Sequence, residues 1–173
     1  IVRLTDSSPG NWITLNIRQD ELLGYDPWLH TASGVNRLEV GTTHARANLV
    51  AVDTNPIDTI WDNQPASPLS PIKTQNTQFT GQSSAEKRRA ISETLKDAGQ
   101  DAVVLTAPDS IAWLANLRGG DVPYTPFALA FGILHVDTKF DLFIDLRKAS
   151  PSVAQALKND VSLRPIDEFS LAL

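Results

Sequence analysis

The chain has 173 residues, enough for one domain or two small ones, and a formal net charge of -5 from 20 acidic and 15 basic side chains scattered without a stripe. That balance argues against a phosphate-backbone footprint, and so against nucleic acid as a partner. No apolar run approaches the roughly 20 residues that a membrane-spanning helix needs, and a chain without cysteine can build neither a disulfide framework nor a thiolate metal site.

Taken in order, residues 1–4 read as a strand already under way, with no initiator methionine and no signal-peptide pattern. Residues 12–17 suggest a short helix and residues 22–25 a strand. Residues 30–47 predict a helix with Val35, Leu38, Thr42 and Ala45 at helical spacing, although Gly41 weakens it by about 1 kcal/mol. Residues 49–52 return to strand. Strand–helix–strand alternation implies part of a mixed or parallel sheet in a front segment, residues 1–63, that is too short to bury much core alone. Pro65, Pro68 and Pro71, three residues apart, favour extended polyproline geometry and mark a linker over residues 64–77.

The back segment, residues 78–173, is better specified. Ser83-Ser84-Ala85-Glu86 fits a capping box, Ile91, Leu95 and Ala98 then share a helical face, Lys96 suits the C-terminal dipole and Gly99 ends the helix. A short strand over residues 101–106 leads into an apolar helix that stops at Asn116-Leu117-Arg118-Gly119-Gly120. Residues 127–136, apolar on both alternating faces, predict a central strand, and Asp137-Thr138-Lys139 turns it into an antiparallel partner over residues 140–145. Ser150-Pro151 supplies the cap and first residue of a helix reaching about Asn159, and residues 161–163 suggest a last strand. The run from Asp167 to Leu173 carries no helix stop signal, and with the opening residues it gives the chain the character of a piece of a longer protein.

Chemistry-bearing patterns are sparse. His30, His44 and His135 stand too far apart to share an ion, no serine has an identifiable partner histidine, and there is no phosphate-cradling glycine motif. Asp141 and Asp145 share a strand face, as solvated strand faces often do. Gly119-Gly120 reads as a helix C-cap needing a left-handed residue, which would aim the following loop outward. Arg118 carries a planar fork suited to carboxylates; it can meet an acidic group or a peptide terminus, or simply pair with Asp121 at the surface.

The stretch from Asp101 to Pro126, with Trp113, Asn116-Leu117-Arg118-Gly119-Gly120-Asp121 and Pro123-Tyr124-Thr125-Pro126, resembles the second domain of the long-form X-Pro aminopeptidases of the creatinase/prolidase superfamily. Gly24-Tyr25-Asp26-Pro27-Trp28-Leu29-His30-Thr31, Asn55-Pro56-Ile57-Asp58-Thr59-Ile60-Trp61 and Phe79-Thr80-Gly81-Gln82-Ser83-Ser84-Ala85-Glu86-Lys87 agree in order and spacing, as does the hairpin ending at Asp145. The resemblance covers essentially the whole chain.

The resemblance implies an α/β fold, a ribonuclease H-like mixed sheet flanked by helices, with residues 1–63 closing a first N-terminal domain and residues 78–173 forming most of a second. It further implies a cytoplasmic, homodimeric parent with a C-terminal catalytic domain holding a manganese or zinc pair. None of that domain's metal ligands can be assigned here, so the chain itself is expected to carry no cofactor and to hydrolyse no peptide. The expected role is architectural: dimerisation and substrate gating, with Arg118, Gly119, Asp121 and Tyr124 on the rim of the entrance for peptide substrate. A stand-alone α/β interaction module, or a creatinase-like or prolidase-like parent with another substrate, are the other readings.

Overall fold

The computed structural model describes residues 3–159 and 161–173, which divide into two compact units at Pro65 and Ala66. In the first unit, α1 (Pro9–Asn16) starts earlier than its apolar residues suggest. Ser8 accepts a hydrogen bond from the Asn11 amide at 3.2 Å, and Pro9 fills a first-turn position where no amide hydrogen is needed. Of the expected opening strand, Ile1 and Val2 lie outside the described residues and Leu4 sits in a turn. β1 (Leu22–Tyr25) and β2 (Asn48–Ala51) pair in parallel from Leu22↔Asn48 to Tyr25↔Ala51. Between them α2 (Ala32–Ala45) is capped by Thr31 and stopped by Arg46 in the left-handed conformation (φ 57°).

Gly41, a weak helix former, sits where α1 meets α2. A Cβ there would lie 2.8 Å from the Gly10 carbonyl oxygen, so only glycine permits this approach. Asp26 ties two loops together, accepting from the Trp28 amide at 2.8 Å and from Asn55 Nδ2 at 2.9 Å, while Asn55 caps α3 (Pro56–Ile60). Only Ile13 among the unit's described hydrophobic residues is fully buried; Leu22, Trp28, Leu29, Ile57 and Ile60 are exposed.

The second unit begins inside the proline-rich segment. Ile72 is buried, its amide donates to the Lys148 carbonyl, and β3 (Lys73–Thr74) pairs antiparallel with β5 (Leu117–Arg118). After a short turn, α4 (Thr77–Thr80), comes α5 (Ser84–Asp97), which carries the full capping box of Ser83 and Glu86. Ile91 and Leu95 face inward as expected; Ala98, the C-cap, is exposed. The main sheet has the order β4 (Ala102–Leu105), β6 (Phe131–His135), β7 (Phe140–Phe143), β8 (Val161–Arg164). The first two pairings are antiparallel and the last is parallel, with α7 (Pro151–Leu157) making that crossover.

Pleating puts Gly132, Leu134, Phe140 and Leu142 on one face, where they pack with Ile111, Leu114 and Ala115 of α6 (Pro108–Ala115) and with Ile72 and Leu117. On the other face Phe169 stacks on Phe131 at 4.4 Å and meets Phe143 edge-on at 5.4 Å, closing a smaller cluster with Ile133. Gly132 makes room for the buried Phe140 ring, which a Cβ would approach to 2.6 Å.

Candidate functional site

Loop residues 116–129 follow α6, and Asn116 organises their start. Its backbone adopts φ 51° and caps α6, so the left-handed position expected at Gly119-Gly120 falls here instead, and neither glycine has a positive φ. Asn116 is buried; Oδ1 accepts from Lys87 Nζ at 2.7 Å, Nδ2 donates to the Gln82 carbonyl at 2.9 Å, and its own carbonyl accepts from the Gln75 amide at 2.7 Å. Gly119 has a different reason to be glycine: a Cβ would lie 2.7 Å from the Ala128 nitrogen, where the two arms of the loop touch.

The expected surface pair between Arg118 and Asp121 does not form. Asp121 is fully withdrawn from water and its Oδ2 meets Lys148 Nζ at 2.6 Å, with side-chain exposures of 0% and 4%. The same carboxylate accepts from the Ser70 amide at 3.2 Å and the Leu129 amide at 2.7 Å. A buried carboxylate with a cation and two amide donors is well compensated, so Asp121 anchors the loop and offers nothing to a ligand. The Leu129 amide bonds to Asp121 rather than to a neighbouring strand, so β6 begins at Phe131, four residues later than its apolar pattern suggests.

Arg118 lies half-buried on β5. Nη1 donates to the Leu117 carbonyl at 2.7 Å and the Ala112 carbonyl at 3.3 Å, which uses both of its hydrogens. Tyr124 is fully exposed at the tip of a turn closed by the Thr125 amide on the Val122 carbonyl. Pro123 followed by Tyr124 at φ 60° is the type II pattern, in which a non-glycine residue at the second central position is strained. The four residues expected at the site thus divide: Arg118 and Tyr124 present chemistry, while Gly119 and Asp121 hold the loop that carries them.

Three lysines were missed. Lys148 anchors Asp121 from 27 positions away. Lys87 is 3% exposed; besides Asn116 it donates to the Trp113 carbonyl at 2.9 Å and lies 4.6 Å from the centre of the Trp113 ring. Burial first, and the nearby Arg118 charge second, lower its pKa from the ordinary lysine value. Lys73 stands directly opposite Arg118 in the β3–β5 ladder. The sequence signal for Lys87 was its place four residues before Ile91, on the helical face that goes inward.

The histidines serve locally. His30 and His44 each direct Nδ1 to the carbonyl of the fourth preceding residue, and His135 meets Asp141 at 3.2 Å across β6 and β7. Asp145 does not extend the Asp141 face; it caps the turn Leu146–Lys148 and chelates Arg147, whose guanidinium holds its carboxyl down to about 2. Among the described residues no group of three or more His, Asp or Glu is gathered closely enough to hold a metal ion, and none forms a helix long and apolar enough to cross a membrane.

Compared with known proteins, the chain is 34% identical over 159 residues to a probable Xaa-Pro aminopeptidase P of Aspergillus clavatus, covering 91% of this chain and 24% of the relative. To the homologue in Aspergillus niger it is 32% identical, covering 91% of this chain and 26% of the relative. Among solved structures it superposes on the X-prolyl aminopeptidase of Caenorhabditis elegans with a TM-score of 0.85 and 26% identity, over 96% of this chain and 27% of that one. That enzyme is described as cytosolic with a di-nuclear active site; the donors needed for such a centre are not assembled among the described residues here. The chain spans about a quarter of the length of these relatives. Residues 63–173 match the sequence profile of the Creatinase/Prolidase N-terminal domain, and with the mixed four-stranded sheet and its flanking helices they establish that the chain belongs to the creatinase/prolidase N-terminal domain family.

Proposed function

We propose that this chain is a non-catalytic N-terminal portion of a metal-dependent X-Pro aminopeptidase, an enzyme that removes the residue preceding a proline. In this reading residues 1–63 close a first domain, the proline-rich stretch 64–77 leads from it into a second domain whose edge it helps to build, and 78–173 form most of that second; the two support a homodimer and restrict access to a dinuclear manganese or zinc site carried by a separate catalytic domain, in the cytoplasm. The observation that carries the reading is the fit of 96% of this chain to 27% of a solved X-prolyl aminopeptidase. The loop bearing Arg118 and Tyr124 is assigned to the substrate-entrance rim, because a buried ion pair and a glycine contact fix it while its tip stays exposed.

The test is hydrolysis of an X-Pro-Y peptide with added manganese, by this polypeptide and by a longer protein that includes the catalytic domain. We expect activity only in the longer protein, and there Arg118→Ala lowers kcat/KM for X-Pro-Y peptides. Chelator-sensitive activity in the 173-residue chain would overturn the non-catalytic reading. Unchanged kinetics of Arg118→Ala across several peptides would overturn the rim assignment.

A further inference from the structure

Three cations meet at the base of the loop. Lys73 and Arg118 are direct cross-strand neighbours in an antiparallel pair, which puts both side chains on one face. Arg118 is also near enough to Lys87 for its charge to disfavour that ammonium. Like charges directly opposite in a ladder are destabilising, and the cationic side chains of Lys139, Arg147, Lys148 and Arg164 each have a carboxylate partner in this unit. Among the described residues no carboxylate comes within ion-pair distance of Lys73, Lys87 or Arg118. The nearest candidate by sequence, Asp121, is committed to Lys148.

The guanidinium is also oriented. Because Nη1 alone is anchored, to the carbonyls of Ala112 and Leu117, the edge formed by Nε and Nη2 has no partner among the described residues. Those two parallel N–H bonds form the fork that receives a carboxylate through both oxygens. The anchoring carbonyls fix the guanidinium plane, so little freedom remains to be lost on binding.

We propose that Arg118, with Lys73 opposite it in the ladder and Lys87 on the neighbouring Asn116, is a carboxylate-binding site. Arg118 grips the ligand through Nε and Nη2, Lys73 adds a second exposed cation, and Lys87 contributes fixed positive charge. That the carboxylate belongs to a peptide, as its C-terminus or an acidic side chain, rests on the rim assignment above. The existence of the site does not, and it is measurable on this chain alone.

The experiment titrates the full chain with Ala-Pro-Ala as free acid, with the same tripeptide amidated at its C-terminus, and with amidated Ala-Pro-Glu. Binding is followed by amide and guanidinium NMR shifts around residues 117–119, at about 50 mM and about 300 mM salt. The free acid is expected to bind about tenfold more tightly than amidated Ala-Pro-Ala, with a difference that shrinks in high salt. Binding of amidated Ala-Pro-Glu as tight as the free acid shows that a side-chain carboxylate serves as well as the terminus; failure of that peptide restricts the site to the terminus. Arg118→Lys keeps the charge but removes the fork and should weaken binding about tenfold. Lys73→Gln, on an exposed position, should weaken it several-fold while raising Tm without ligand, an opposition that a purely structural lysine does not produce. Equal affinity for the free acid and amidated Ala-Pro-Ala, or unchanged binding by Lys73→Gln, overturns the site. If binding holds but kinetics of the longer protein ignore Arg118, only the rim assignment falls.

Discussion

Asp121 and Lys148 are withdrawn from water together, and each side chain is the other's compensating partner. Removing one partner leaves a buried, uncompensated ion, which costs about 3–5 kcal/mol. Asp121→Ala should therefore lower the urea midpoint strongly, and Asp121→Leu combined with Lys148→Met should recover much of the loss, because an apolar pair of similar volume removes both desolvation penalties. A wild-type midpoint for the single variant would show the pair to be solvated. The sequence made the loop legible as a loop, through its glycines and prolines, but left the work of Asp121 hidden. Its partner is 27 positions away, and a local arginine offered an apparent match. Lys73 was hidden differently, in a proline-rich run whose composition reads as a linker while Ile72 beside it is buried.

At the scale of elements, α5 shows what local sequence does determine. The capping box at Ser83 and Glu86 forms as its four-residue pattern predicts, because every group involved lies within one helical turn. Ser83→Ala should cost about 1 kcal/mol. The Glu86 carboxyl is held below its ordinary value near 4.5, first by the Ser83 hydroxyl and then by the Ser83 amide. A lowered folded-state pKa stabilises above the unfolded value and loses that contribution as pH falls through the folded one. The difference in Tm between wild type and Glu86→Ala should thus be present at neutral pH and shrink below about pH 4.5. A gap that stays constant down to pH 2 would remove the charge from the cap. β6 shows the opposite limit: the run from Phe127 to Leu134, without a polar side chain, carries no mark of where pairing begins, and a carboxylate from another part of the loop decides it by taking the Leu129 amide.

For the chain as a whole, burial is divided unequally. Among the described residues, the second unit contains sixteen of the seventeen fully buried hydrophobic ones and the first contains one, Ile13. Two parallel strands with Leu22 71% exposed are unusual, since parallel strands are ordinarily covered on both faces. Among the described residues neither strand has a further neighbour, and these edges with the surrounding tryptophans and leucines predict that this polypeptide self-associates with rising concentration, as read by sedimentation velocity. Leu22→Lys should shift it toward monomer without altering the second unit's amide spectrum. A monodisperse monomer at all concentrations would mean that the apolar surface covers itself. The alternation of strand and helix in residues 22–51 was legible because both periods are local; how little those elements bury was not, since burial depends on what lies against them.

That uneven distribution also gives the chain a history during synthesis. Residues up to 65 leave the ribosome ahead of residues 66–173, and at 5–20 residues per second the lag is roughly 5 to 20 s. When this 173-residue polypeptide is synthesised by itself, the emerging first unit displays Trp28, Leu29, Ile57 and Ile60 throughout that interval, with Ile13 as the one fully buried hydrophobic residue among those described in it. Such a stretch is a natural holding site for a chaperone, and translation speed, as much as equilibrium stability, then governs how much of this polypeptide is delivered intact.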